Sequence, residues 1–75
     1  MTSEEIKRLL RGTVFRPFTV FAEGQAFHVP HPESAAISPR GRTLVVFHPD
    51  DDAYDLLDVT LIAHAEIHEP SGRAS

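Results

Sequence analysis

The stretch FTVFAEGQAFHV, residues 18–29, alternates apolar and other side chains on both sides of Glu23-Gly24. Period-two alternation around a two-residue turn of this type predicts a β-hairpin. With those two residues as the loop, Ala22 pairs with Gln25, Val20 with Phe27 and Phe18 with Val29. Phe18, Val20, Phe27 and Val29 then share one face, and Thr19, Phe21, Ala26 and His28 the other. A slip of one residue would put Phe18 and Val20 on the face opposite Phe27 and Val29, so the agreement of both strands supports the register.

Upstream the period changes. TSEEIKRLLRG predicts a helix over 2–12, with Thr2 as N-cap and Glu5 as its reciprocal partner in a capping box. Acids fall in its first turn and Lys7, Arg8 and Arg11 toward its end, as the helix dipole favours. Ile6, Leu9 and Leu10 form an apolar stripe at helical spacing. Gly12 suits a left-handed residue closing the helix. A helix this short is marginal alone and must dock.

Downstream, PHPE at 30–33 excludes a central strand there. A second hairpin follows, from AAIS through a turn at Pro39 and Gly41 into RTLVVF. RTLVVF is the most apolar strand and is expected to be central and covered on both faces. AYDLLDV and LIAHAEIH supply one or two further strands, with a short turn at Asp58. The expected fold is mainly β: a short N-terminal helix, then about five antiparallel strands in a small closed or half-open barrel. Residues 1–69 make the single domain and 70–75 a flexible tail.

The 75-residue chain contains no cysteine, which removes disulfides and thiolate zinc sites. Domains of this size bury only ~60% of their unfolded surface, and many lean on a partner or a metal. No apolar run approaches the ~20 residues of a membrane span, and no signal-peptide core is visible, so a cytoplasmic setting is expected. The formal net charge is −4. Residues 1–16 carry four basic residues against two acids, or +2, and the rest three arginines against nine acids, or −6. An acidic body repels phosphate backbones, so nucleic-acid binding is not expected.

The order of elements resembles the small SH3-like barrels, and the Sm-like group in particular. That resemblance implies the barrel fold and a tendency to self-associate. Sm-like proteins bind RNA through an Asp/Asn loop and an Arg-Gly loop near the last strands. Here Arg40-Gly41 lies in a middle hairpin with no such signature before it, so the RNA role is not carried over and stays an alternative. The stretch RPFTVFAEGQAFHVPHPESAAISPRGRTLVVF, residues 16–47, is also similar to short uncharacterised proteins of bacteria such as planctomycetes. That similarity implies no function.

Candidate chemistry is sparse. HAEIH places His64, Glu66 and His68 at strand spacing on one face; it is the candidate metal site, set against a solvated outer face with Ala65 and Ile67 in the core. The helical zinc pattern needs its glutamate beside the first histidine, and here it is third. Asp50 and Asp52 match only the start of a calcium loop, because Tyr54 and Asp55 break the rest. No activated nucleophile or phosphate loop is present. The expectation is therefore a non-enzymatic interaction module without cofactor, self-associating through strand edges as a homo-oligomer, with an unknown protein partner as an alternative. Phe21, Ala26, His64 and Glu66 form the candidate interaction surface. A His/carboxylate metal protein is the other alternative.

Overall fold

The computed structural model describes residues 1–68. The expected tail, 70–75, and Glu69 lie outside the described residues. The helix α1 spans Ser3–Arg11 with the predicted capping box: Glu5 N–H donates to Thr2 Oγ1 at 3.2 Å, and Thr2 N–H donates to Glu5 Oε1 at 2.9 Å. Gly12 departs from expectation. Its φ of −64° and ψ of 166° are extended rather than left-handed. Crowding is what calls for glycine there, since a Cβ would sit 2.9 Å from the Arg8 carbonyl oxygen.

Six strands follow: β1 Phe18–Ala22, β2 Gln25–Val29, β3 Ala35–Ile37, β4 Thr43–Phe47, β5 Tyr54–Asp58 and β6 Ile62–Ile67. The β1–β2 register matches the expected pairing at Phe18 with Val29, Val20 with Phe27 and Ala22 with Gln25. Glu23 and Gly24 both take positive φ, as a two-residue hairpin turn of this twist requires. A short 3-10 turn at Val59–Leu61, capped by Asp58, separates β5 from β6.

The strands form two antiparallel sheets of three, ordered β2-β1-β6 and β3-β4-β5, and neither closes into a barrel. The break comes at Pro30–Ser34, where Ser34 N–H donates to the His31 carbonyl and Pro32–Ser34 makes a 3-10 turn. Prolines cannot donate to a sheet ladder, so the chain leaves the first sheet there and enters the second at β3. The sheets share one core. Ile6 and Leu10 of α1, Phe18 and Val20 of β1, Val29, Leu44, Val46, Val59 and Ile62 are all buried in it. The N-terminal ammonium donates to the Ile62 carbonyl, tying the start of the chain to β6.

β4 is central in its sheet, as expected, but only one of its faces is covered. Leu44 and Val46 are buried, Val45 is half-buried and Phe47 is exposed. Among the described residues α1 is the single α-helix, and it packs on the core side, away from the outer face of β3-β4-β5. No helix among the described residues is long and apolar enough to cross a membrane.

Candidate functional site

The outer face of the first sheet gathers most of the polar residues singled out from sequence. Thr19 lies opposite His28 on β2 and opposite Glu66 on β6, while Phe21 lies opposite Ala26 and His64. Direct cross-strand partners share a face, so these residues are neighbours. β6 reaches this position through a bulge: Phe21 pairs with His64 and Ala22 with Ile62, leaving Ala63 as the extra residue.

Thr19 is the one buried polar side chain of the described core, and both sides of its hydroxyl are occupied. Oγ1 lies 2.8 Å from His28 Nδ1 and 2.8 Å from His68 Nε2. A hydroxyl has one proton to give and two lone pairs to receive. It therefore donates to one ring and accepts N–H from the other, which links the tautomers of two histidines forty residues apart in sequence. Sequence reasoning placed His28 and Thr19 on one face, but not His68 beside them. The signal was available only once β6 was known to pair with β1.

His64 is held differently. Its ring stacks on Phe21 at 4.5 Å between centroids and 15° between planes. Phe21 is half-buried beneath this ring, while α1 packs against the core face of the sheet with Phe18 and Val20. Ala26 and Glu66 remain exposed. The three candidate ligands His64, Glu66 and His68 share the outer face, yet one imidazole is stacked and another is bound to a hydroxyl. Among the described residues no group of three His, Asp or Glu side chains is gathered in a way that could hold a metal ion. The core-facing alternates also differ from each other: Ala65 is half-buried, whereas Ile67 at the strand end is 49% exposed.

Where the two sheets splay, between β2 and the end of β4, a groove of about 220 Å³ opens. Phe27, Phe47, Pro30 and Pro49 line it, together with His28 and the pair His48–Asp55. His48 Nε2 lies 2.7 Å from Asp55 Oδ2. This pair is exposed, and no serine or threonine hydroxyl lies among the groove's residues, so the nucleophile that such a dyad would serve in covalent catalysis is not supplied. The acidic turn folds on itself: Asp51 Oδ1 accepts the Ala53 N–H at 2.8 Å.

Among the described residues two carboxyls are held below their ordinary values. Glu5 is held below its ordinary value chiefly by the Thr2 backbone N–H of the capping box. Asp58 is held low by the Thr60 hydroxyl first and the Thr60 N–H second, both bonded to Oδ1. Each serves a cap, so the shifts report helix and turn chemistry. Neither marks a catalytic acid.

The edge of β6 completes the candidate surface. β6 ends its sheet, and among the described residues no strand pairs with its outer side. His68 N–H donates to the Pro17 carbonyl at 2.8 Å. In an antiparallel ladder the bonding residues alternate, so the N–H groups of His64, Glu66 and His68 face β1 and those of Ala65 and Ile67 face outward. Between this edge and α1 runs a groove of about 310 Å³ lined by Met1, Glu5, Arg8, Leu9, Ala65 and Ile67.

Comparison with known proteins finds no family model, no curated protein and no solved structure that matches the chain.

Proposed function

We propose that this chain is a non-enzymatic interaction module that associates with copies of itself through strand edges, on a frame of the small SH3/Sm-like barrel kind. The observation that carries the reading is the outer edge of β6, which no strand among the described residues covers. Its outward N–H and C=O groups offer pairing to another strand, and no lysine or proline between residues 61 and 68 discourages it. The groove beside α1 gives an added strand somewhere to place its side chains. The return of β6 to β1 supports the barrel-like frame, because the last strand lies beside the first as closure of a single curled sheet requires. Phe21 and His64 extend the surface around the edge from the outer face.

Native mass spectrometry of the tag-free chain tests this reading, with light scattering across a concentration series. The expected result is an oligomer that weakens at least tenfold in Ala65→Pro, a change that removes one outward N–H while leaving the bonds to β1. A wild-type chain that stays monomeric throughout would sink the reading.

A further inference from the structure

The outer face of β4 and β5 carries large uncharged side chains in one block. Val45 stands opposite Leu56, Phe47 opposite Tyr54, and Ala36 of β3 flanks Val45. Leu56 is 66% exposed, Tyr54 58% and Phe47 44%, and the two rings lie 6.2 Å apart. By those fractions the three side chains leave roughly 300–400 Å² uncovered, a patch of the size that marks a contact surface on a small monomer.

The ends of this block carry opposite charge. Arg40 and Arg42 precede β4, and Asp50, Asp51 and Asp52 follow it, all exposed. Five strand residues, about 17 Å, separate the two ends. Asp58, opposite Thr43, places one carboxylate at the basic end within the influence of Arg42, so two arginines stand there against one acid.

We propose that this face is a homodimer interface in which two copies pack sheet against sheet with their β4 strands antiparallel. The two-fold axis lies in the interface and across the strands. Each copy then sets Arg40 and Arg42 against Asp50–Asp52 of the other, twice per dimer, with the apolar blocks between. The parallel arrangement would instead press three aspartates against three. A face that is uncharged at its centre and opposite in sign at its ends complements itself, which is why the occupant is a second copy. Two such blocks bury roughly 600–800 Å² of apolar surface, and the charged ends bring the total toward the ~1,200 Å² of a specific interface. The inference rests on the self-association proposed above and adds to the β6 edge a second contact surface, on the other sheet.

Sedimentation equilibrium on three variants tests it. Leu56→Glu changes an exposed residue and is expected to weaken the dimer at least tenfold with an unchanged circular dichroism spectrum. In an Ala65→Pro background, Arg40→Glu/Arg42→Glu and Asp50→Lys/Asp52→Lys are each expected to be monomeric alone and to form a one-to-one heterodimer when mixed. A Leu56→Glu variant that assembles like wild type overturns the interface, as does a mixture no tighter than its parts. An assembly that Ala65→Pro dissolves and Leu56→Glu leaves intact stands on the β6 edge only, and this face is then wrong. A monomeric wild type overturns both.

Discussion

Thr19 Oγ1 stands 2.8 Å from His68 Nε2, joining the start of β1 to the residue just past β6. With His28 on the other side at the same distance, one hydroxyl links three chain segments. Because Thr19 is buried, its proton needs an acceptor, and only one of the two rings can be it.

One of His28 and His68 is therefore expected to carry its proton on the nitrogen facing Thr19, and the other on the far nitrogen. Long-range ¹H–¹⁵N imidazole spectra at neutral pH report this directly. Identical acceptor states at both rings would contradict the geometry.

Thr19→Val keeps the shape and removes the hydroxyl. The two histidines are exposed and can turn to water, so the expected loss is about 1 kcal/mol, that of an ordinary hydrogen bond. Urea denaturation measures it. A loss several times larger would mean that the cluster organises the sheet beyond its own bonds.

Gly41 and Gly24 both have positive φ, +74° and +79°, but differ in surroundings. A Cβ on Gly41 would lie 2.5 Å from Ser3 Cβ, while one on Gly24 meets nothing within 4 Å. Gly24→Ala is expected to cost about 1 kcal/mol from backbone strain alone. Gly41→Ala should cost distinctly more, because α1 must also shift. Equal shifts in thermal midpoint would argue against the close approach of α1 to the β3–β4 turn.

The caps make stability fall in acid. A carboxyl held low in the folded state contributes stability that is complete above its ordinary value, 4.5 for Glu5 and 3.8 for Asp58. That contribution disappears as pH falls through the lower folded value. Thermal midpoints should therefore drop between neutral pH and about pH 3. Glu5→Gln should reduce the slope, since a neutral amide can still accept the Thr2 N–H. An unchanged slope would remove the capping box from the account.

In the core, Leu44→Ala is expected to lose 2–5 kcal/mol, roughly the range for a fully buried leucine. Domains of this kind have only ~5 kcal/mol or a little more in total, so this variant should be largely unfolded at 37 °C by circular dichroism. Leu56→Ala on the open face of the same sheet should stay within about 0.5 kcal/mol of wild type in the monomer.

The amino-acid sequence by itself determined the elements whose causes are local. Thr2 and Glu5 specify where α1 begins, Glu23-Gly24 and its flanking alternation specify the first hairpin and its register, and Pro30 with Pro32 specify where a strand cannot continue. Each depends on residues within a few positions of one another. Which faces are covered was decided only by tertiary structure. Leu44 to Phe47 are four consecutive apolar residues, yet only one side of β4 is covered among the described residues, because α1 packs in the shared core. The gathering of His28, Thr19 and His68, and the stacking of His64 on Phe21, likewise required β6 to return to β1 with a bulge at Ala63. Pairings across more than forty residues follow from how the whole core closes, and no short stretch of sequence encodes that closure.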